Sequence, residues 1–313
     1  MKPTIVDVAK RANVAVMTAS RVMNGHPRVR PRIRERVLTA AEEIHYVPNL
    51  LARGLRRKAL DVVSLLLTDL PNPYFGTLAD RLSAKLRDSG LRAVLCDNVD
   101  DMLGFNSSFS PCASVLVLPT ADHVNRIARE RPAVTFQAQS FEAQHAPDVS
   151  VDRAWAYAEL AREILAGGRR KVTYCCAPSE YGPSRQQKFR HVETVLEQQG
   201  LEPVILSRKA LESSEELARL ACSRPGSVDT VFCENDVVAA GVLCALHARG
   251  VRSPEDVLVI GCDGTLVLEG VWTVVVDFDR IAREVVDRLL RQLNGEEVTG
   301  RLLVRPELVT CPV

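Results

Sequence analysis

Residues 4–25, TIVDVAKRANVAVMTASRVMNG, determine the fold of the N-terminal part of the chain. Apolar side chains recur there with the three- and four-residue spacing of one helix face, and they are Ile5, Val8, Ala9 and Ala12. Thr4 is placed to cap this helix, and Asn13 suits the left-handed backbone of a tight turn. A second helix is predicted from about Val16 to Met23. Its inward side chains are Ala19, Val22 and Met23, and its outward side chains are Met17, Thr18 and Arg21.

A third amphipathic segment follows in residues 30–47, RPRIRERVLTAAEEIHYV. Its apolar stripe consists of Ile33, Val37, Ala40, Ala41 and Ile44. Three small helices with a tight turn between the first two are typical of a helix-turn-helix domain, whose second helix enters the major groove of DNA. An ordinary three-helix core without a partner is the alternative interpretation.

The charge of the chain is divided along its length. Residues 1–60 contain 13 Lys and Arg against 4 Asp and Glu, whereas the remainder contains 27 against 35. A basic head on an acidic body is expected where one end of a protein meets a polyanion. A solvated basic face without a partner would have the same charge, so this observation supports nucleic acid only together with the helix pattern.

The pattern changes after residue 61 to alternating strand and helix signals. Continuous apolar runs such as VVSLLL, SVLVLP and VLVIG are typical of buried parallel strands, and amphipathic segments separate them. This alternation predicts a doubly wound α/β body, long enough for two lobes. The predicted fold class is therefore an all-α helix-turn-helix head followed by a two-lobed α/β domain. Ligands of such sheets bind outside the carboxyl ends of the strands.

Several classes of protein are disfavoured by the same sequence. No apolar run reaches the roughly 18 residues of a membrane span, and the start MKPTIVDVAKR lacks the apolar core of a secretory signal, which predicts a cytoplasmic protein without a membrane partner. The nine cysteines include no CxxC pair, so no metal site is expected. A GxxxxGK loop and a GxSxG elbow are absent, and Cys175 and Cys176 have no evident activating base. We therefore expect neither a cofactor nor an enzyme.

The chain resembles the lactose/galactose repressor (LacI/GalR) family of bacterial transcriptional regulators. The opening stretch is similar to the family pattern T-I-x-D-V-A-x-x-A-G-V-S-x-x-T-V-S-R-V-L-N, and HYVPNLLARGL resembles Y-x-P-N-x-x-A-R-x-L. The later segments resemble the family's periplasmic-binding-protein-like domain. The resemblance implies three parts: a DNA-binding head at residues 1–47, a hinge helix or linker at 48–60, and a two-lobed effector-binding and dimerisation domain at 61–313.

The resemblance also implies DNA-contacting residues in the head. The positions that match base readers of the family are Val16, Met17 and Arg21, and those that match phosphate-binding positions are Thr4, Thr18, Ser20 and Asn24. Arg21 is the strongest reader physically, because arginine forms bidentate hydrogen bonds with guanine. Three positions depart from the family: Asn13 replaces a glycine, and Ala15 and Arg30 each replace a serine. The loss of the cap at Ala15 is expected to cost about 1 kcal/mol.

The hinge segment LLARGLRRK is too short to be a stable helix alone. The family resemblance implies that it becomes a helix on DNA, where Leu55 is inserted into the minor groove, Ala52 allows two hinge helices to approach, and Arg53 binds phosphate. A plain basic linker is the alternative. Gly54 lowers the helix propensity by about 1 kcal/mol relative to alanine.

Eight residues are implied as effector-binding positions. They are Tyr74, Phe75, Gln137, Arg185, Asn235, Asp236, Asp263 and Asp277. Helix capping is an alternative role for Asp236, a strand-end turn for Asp263, a salt bridge for Arg185, and packing in the core for Tyr74 and Phe75. Gln137 stands where the family often has an aspartate that binds the effector. The segment 98–111 is predicted to be too short for the helix that the family has there.

These observations together predict a repressor that binds a palindromic operator in double-stranded DNA as a homodimer. A small molecule, expected to be a sugar, sugar phosphate or other sugar derivative, would bind between the lobes and control it. The second hypothesis is a regulator of the same architecture that has lost or changed its effector response. The third is a sugar-binding protein without a regulatory role.

Overall fold

The chain forms two compact units, Met1–Asp61 and Val62–Val313. The computed structural model describes residues 3–23, 25–46, 60–67, 70, 72–138, 146–176, 194, 197–198, 204–207 and 228–310. The predicted hinge therefore lies outside the described residues, except for Leu60, which begins the first strand. We call the N-terminal unit the head and the C-terminal unit the body.

Three helices build the head: α1 (Ile5–Arg11), α2 (Val16–Met23) and α3 (Pro31–Glu43). Their buried core is the set that the helical periodicity predicts, with Val8, Ala9, Ala12, Ala19, Val22, Val37, Ala40 and Ala41. Ile5, Met23, Ile33 and Ile44 pack against this core. The predicted helix-turn-helix arrangement is confirmed.

The turn between α1 and α2 depends on one left-handed residue and one arginine. Asn13 has a φ of 47°, as its tolerance of this backbone region predicts. The guanidinium group of Arg36 on α3 donates hydrogen bonds to the carbonyl oxygens of Ala12 and, at 3.0 Å, Asn13. Since these carbonyls follow the end of α1, Arg36 supplies partners that the helix itself lacks.

The helix starts of the head differ in their capping. The backbone N–H and the hydroxyl group of Thr4 donate to the Asp7 carboxylate over 2.8 and 2.7 Å, and these hydrogen bonds lower the pKa of Asp7. Helix α2 follows Ala15, whose side chain has no acceptor, and Arg30 makes no side-chain cap at α3. The two departures from the family pattern thus leave α2 and α3 without a side-chain cap from those positions.

The body contains two six-stranded sheets, each the centre of one lobe. The sheet of the first lobe has the order β11-β5-β4-β3-β1-β2. Its strands are β1 (Leu60–Leu66), β2 (Arg92–Cys96), β3 (Pro111–Val117), β4 (Ala133–Phe136), β5 (Asp148–Val151) and β11 (Arg301–Val304). The pairs β1–β2, β3–β4, β4–β5 and β5–β11 are parallel.

The sheet of the second lobe has the order β12-β10-β9-β8-β6-β7. Its strands are β6 (Val172–Cys176), β7 (Val204–Ser207), β8 (Thr230–Cys233), β9 (Leu258–Asp263), β10 (Val271–Val275) and β12 (Glu307–Val309). The short β12 pairs antiparallel with β10. In both sheets the strand order reverses beside the first strand of the lobe, and this reversal creates a crevice at the carboxyl ends.

Six described helices accompany these sheets. They are α4 (Pro73–Asp88), α5 (Val99–Phe109), α6 (Ala121–Ile127), α7 (Arg153–Ala166), α8 (Asp236–His247) and α9 (Phe278–Leu293). None of the described helices has the length and apolarity that crossing a membrane requires.

The chain crosses between the lobes three times. It enters the second lobe after β5, returns at α9, whose apolar face packs in the core of the first lobe, and crosses again between β11 and β12. Arg305, in this last crossing, lies 4.5 Å from the ring centre of Trp155 on α7. The predicted two-lobed α/β architecture is confirmed, although β5, β11 and β12 were not anticipated from the sequence.

The prediction that segment 98–111 is too short for a helix is wrong, because α5 begins earlier than expected. Asn98 caps it by accepting a hydrogen bond from the Asp101 N–H at 2.8 Å. Met102 is fully buried and anchors the helix, which ends at Ser110 in the left-handed conformation. The residues that seemed to belong to the preceding strand end therefore form the first turn of the helix.

Candidate nucleic-acid interface and effector cleft

The outward face of α2 is the candidate nucleic-acid interface. Met17 is 67% exposed and Val16 is 42% exposed, so both side chains are accessible to a partner. Arg21 is also exposed, and Thr18 and Ser20 are half-buried. Asn24 lies outside the described residues. The structure thus places the three predicted base readers together on one helix face.

The arginines of the head fall into two groups. Arg11 pairs with Glu43 at 2.6 Å, while Arg34 and Arg36 donate to backbone carbonyl oxygens. The side chain of Arg21, in contrast, makes no hydrogen bond or ion pair within the described part of the chain. Its guanidinium group therefore keeps its donors available for a phosphate or a base edge.

The predicted phosphate contact at Thr4 is already engaged in the protein. Its hydroxyl group donates to Asp7, and its position next to α1 confirms the capping role that the sequence also indicated. The hydroxyl oxygen still has a lone pair but its hydrogen is used. A phosphate contact from Thr4 remains a prediction.

Tyr74 connects the first lobe to the candidate effector cleft. It lies in the first turn of α4, is 4% exposed, and its ring packs against Phe75, Phe136 and Phe278 at centroid distances of 5.2, 6.4 and 5.2 Å. The side-chain amide of Gln137 donates to the Tyr74 hydroxyl group at 2.6 Å. The ring of Tyr74 is thus held in the apolar core of the first lobe, and its hydroxyl group is engaged by Gln137.

Phe75 lies in the core of the first lobe and is 5% exposed. This position agrees with the alternative of core packing and not with stacking on a ligand ring, because the apolar face of α4 carries the side chain against the sheet. Gln137 directly follows β4 with a φ of 53°. Its left-handed backbone points the side chain back toward Tyr74 and away from the strand direction.

A polar cluster forms where the second lobe meets Tyr74. Arg153, the first residue of α7, donates from Nη1 to the hydroxyl group of Tyr157 at 3.3 Å, and its charge acts on the Tyr74 phenol. The Tyr157 hydroxyl lies 3.4 Å from the sulfur of Cys262. Asp263 ends β9 beside this group, is 3% exposed, and has a φ of 94°. We call Tyr74, Arg153, Tyr157, Cys262 and Asp263 the cleft cluster.

Burial and charge act together on the pKa values of the cleft cluster. Burial raises the pKa of the Tyr74 and Tyr157 phenols above their ordinary range. For Arg153, burial alone lowers the pKa, but Tyr157, Tyr74 and Asp263 more than reverse this effect. The tyrosines are therefore neutral and the arginine is charged, so the cluster can donate hydrogen bonds and attract negative charge.

Asp236 is held by its own lobe. Its carboxylate accepts hydrogen bonds from the Thr265 N–H at 2.6 Å, the Thr265 hydroxyl at 3.2 Å, the Leu266 N–H at 3.3 Å and the Thr273 hydroxyl at 2.7 Å. It is fully buried, and this burial raises its pKa even though the hydrogen bonds lower it. The geometry assigns Asp236 to the connection between α8, β10 and the loop after β9.

The remaining predicted cleft residues cap helices or lie elsewhere. Asn235, not Asp236, caps α8, since its side chain accepts from the Val238 N–H at 2.9 Å. Asp277 is exposed and caps α9 by accepting from the Arg280 N–H at 2.8 Å. Arg185 lies outside the described residues, and its role in effector binding remains a prediction.

Sequence reasoning missed Arg153, which is the only cation of the cleft cluster. It follows the short strand β5, DVSV, which had not been recognised as a strand. A polar residue directly after a parallel strand is the signal that would have placed it at the carboxyl edge of the sheet. Among the described residues, no group of three or more His, Cys, Asp or Glu side chains could hold a metal ion.

A DNA-reading head joined to a two-lobed ligand-binding body defines a class of protein, the ligand-controlled DNA-binding regulator. Residues 4–49 match the bacterial regulatory proteins of the lacI family, and residues 161–310 match the periplasmic-binding-protein-like domain. The chain therefore combines a lacI-family DNA-binding domain with a periplasmic-binding-protein-like domain.

Relatives and solved structures agree with this assignment. The chain is 26% identical over 284 residues to the HTH-type transcriptional regulator DegA of Bacillus subtilis, covering 86% of this chain and 84% of that protein. It is 29% identical to the ribose operon repressor of Halalkalibacterium halodurans, with 83% and 80% covered. Its fold matches the crystal structure of the lac repressor dimer bound to operator and the anti-inducer ONPF, with a TM-score of 0.83, 20% identity and 99% and 98% covered.

Proposed function

We propose that this chain is a sequence-specific transcriptional repressor that binds double-stranded operator DNA as a homodimer. The observation that carries the proposal is the exposed face of α2, where Met17 and the unengaged Arg21 lie side by side. Two equal heads on a symmetric dimer imply a palindromic operator with matching half-sites. A protein of this kind acts where the chromosome lies, so the proposal also places the chain in the cytoplasm.

The proposal includes a hinge between head and body at residues 48–60. This segment would order on DNA, with Leu55 inserted in the minor groove and Ala52 and Arg53 at the paired hinge helices. A short helix of this kind is unstable alone, and its cost of ordering would be offset only by pairing with the second hinge helix on DNA. The affinity for DNA would therefore depend on the distance between the two hinges of a dimer.

Control by a small molecule is the second part of the proposal. A sugar or sugar derivative bound between the lobes would favour one relative arrangement of the lobes and thereby change operator affinity by the coupling free energy. The cleft cluster supports this part because it contains groups of both lobes, with Tyr74 from the first and Arg153 and Asp263 from the second.

A regulator that has changed or lost its effector is the second candidate. The observation that favours it is the hydrogen bond between Gln137 and Tyr74. The contact engages the side chain of Gln137, which stands where the family often has an aspartate that binds the effector. A neutral amide thus takes the place of a charged acceptor.

The decisive experiment is selection of DNA from a random pool by the purified full-length chain, followed by affinity measurements on the selected site. We expect two matching half-sites. The variant Arg21→Ala should relax the base preference at one position in each half-site and weaken specific binding by about 1–3 kcal/mol.

Arg32→Ala is the matched control, because Arg32 is an exposed arginine of the head that lies on α3 and not on α2. It should leave the base preference unchanged. If both variants keep the same preference as the parent chain, Arg21 is not a base reader. If no sequence is enriched, the proposed function itself fails.

A further inference from the structure

Arg153 is a half-buried cation that forms no ion pair in the described part of the chain. Its guanidinium group donates a hydrogen bond to the neutral hydroxyl group of Tyr157 at 3.3 Å, and its Nε atom is buried without any hydrogen-bond partner. Two other arginines of the body, half-buried Arg288 and exposed Arg301, each have a carboxylate partner, although Nε of Arg288 is also buried without a hydrogen-bond partner. Arg288 pairs with Glu284 at 3.2 Å, and Arg301 pairs with Asp148 at 2.6 Å.

The carboxylates near Arg153 do not neutralise it by direct contact. Asp263 acts on its charge but forms no ion pair with it within 4.0 Å, and Asp236 directs both of its oxygens to donors of the second lobe. Gln137, the neighbour of Tyr74, is neutral. A charge removed from water without a partner raises the free energy of the protein, and a bound anion lowers it again.

The position of Arg153 makes it accessible to a ligand. The residue as a whole is only half-buried, so part of the side chain remains open while Nε is covered. It follows β5 at the carboxyl edge of the sheet, which is where ligands of doubly wound sheets bind, and its charge acts on Tyr74 of the first lobe. A guanidinium group offers five donors in a planar fork that fits carboxylates and phosphates.

We propose that the ligand of this cleft carries an anionic group, a carboxylate or a phosphate, and that Arg153 binds this group. The inference rests on the proposed function, because it names the chemical class of the ligand for the same cleft. Tyr74 and Tyr157 would position the guanidinium fork, and their hydroxyl groups would add donors to the anion. A neutral sugar of the same shape would leave the charge of Arg153 without a partner.

The test is thermal unfolding and calorimetric titration of the full-length chain at constant ionic strength. The probes are inorganic phosphate against chloride, and the matched pairs glucose and glucose 6-phosphate, ribose and ribose 5-phosphate, and glucose and gluconate. We expect stabilisation by phosphate beyond that by chloride, and stronger binding of the anionic member in at least one pair. The phosphate and carboxylate pairs distinguish the two anions.

Two variants assign the effect to one side chain. Arg153→Gln keeps a hydrogen-bond donor but removes the charge, and it should weaken binding of the anion on the order of 10- to 100-fold. Arg162→Gln is the control, because Arg162 lies on the same helix, is exposed and pairs with Glu159. It should bind the anion as the parent chain does.

Equal responses of the parent chain and of both variants would overturn the inference, as would tighter binding of the neutral member of every pair. An absence of any anion-specific stabilisation would overturn it as well. The midpoint of the unliganded Arg153→Gln protein is a further check. It should equal or exceed that of the parent chain, whereas a clear decrease would identify Arg153 as a structural tie between the lobes.

Operator binding separates this inference from the proposed function. A neutral sugar that binds and changes operator affinity would support the proposed control and refute the anionic ligand. An anion that needs Arg153 but leaves operator affinity unchanged would support the anionic site and refute ligand control of DNA binding.

Discussion

Replacing Asp236 with alanine removes the acceptor of four hydrogen bonds from the second lobe. Thr273 is buried, whereas Thr265 is half-buried and Leu266 is exposed. A buried donor without an acceptor costs about 1–3 kcal/mol. Part of this cost is offset because the folded variant no longer has to keep a carboxylate out of water. We therefore expect the variant to lose about 2–4 kcal/mol of unfolding free energy.

The assay is chemical and thermal unfolding of the full-length chain, followed by circular dichroism. For a body of this size, the loss corresponds to a decrease of roughly 5–15 °C in the unfolding midpoint. Asp277→Ala is the matched control, since Asp277 also follows a parallel strand and precedes a helix but is exposed. As a helix cap it should cost only about 1 kcal/mol.

The reasoning is refuted if Asp236→Ala is no less stable than Asp277→Ala. Should the Asp236 variant keep its stability but lose ligand-induced stabilisation, the carboxylate belongs to the ligand and not to the framework of the lobe. Such a result would restore the role that the sequence resemblance implied.

Three further changes test other parts of the structure. Asn13→Gly should leave stability unchanged or slightly increase it, whereas Asn13→Ala should cost about 1 kcal/mol because of the positive φ, as measured by denaturant unfolding. Gly261→Ala should cost about 1–3 kcal/mol in the same assay, because its Cβ would lie 2.3 Å from Oδ1 of Asp236. The pKa of Asp7 is lowered below its ordinary value of 3.8 by its hydrogen bonds with Thr4. These bonds therefore stabilise the fold fully above the unfolded pKa, and their contribution is lost as the pH falls through the folded pKa. The difference in unfolding midpoint between the parent chain and Asp7→Asn should accordingly shrink in this acid range.

Local sequence patterns were sufficient to predict the three helices of the head and their inward faces. The spacing of Val8, Ala19 and Val37 identifies the three inward faces because a helix repeats every 3.6 residues, whatever it packs against. Asn13 could be placed in a left-handed turn because this preference belongs to the residue itself. The same local reasoning failed for α5, since the acidic residues 100–101 look like a strand end until Asn98 is recognised as a cap.

The cleft could be predicted only in outline. Sequence pattern located the strand ends that carry Gln137, Asn235 and Asp263, because hydrophobic runs mark buried strands. It did not distinguish a carboxylate used by the protein from one offered to a ligand. Asp236 and Asp263 both follow buried strands, and only their partners in space separate their roles.

The sequence by itself determined the three helices of the head and their inward faces, the alternation of strands and helices in the body, and the family resemblance. These properties depend on neighbours within a few residues, where periodicity and backbone preference act. Tertiary structure alone decided that β11 and β12 each complete a different sheet, that Asp236 is enclosed by its own lobe, and that the charge of Arg153 acts on Tyr74 of the other lobe. These outcomes depend on groups about 30 to 150 residues apart, and burial, charge and hydrogen bonding at such separations arise only after the chain has folded.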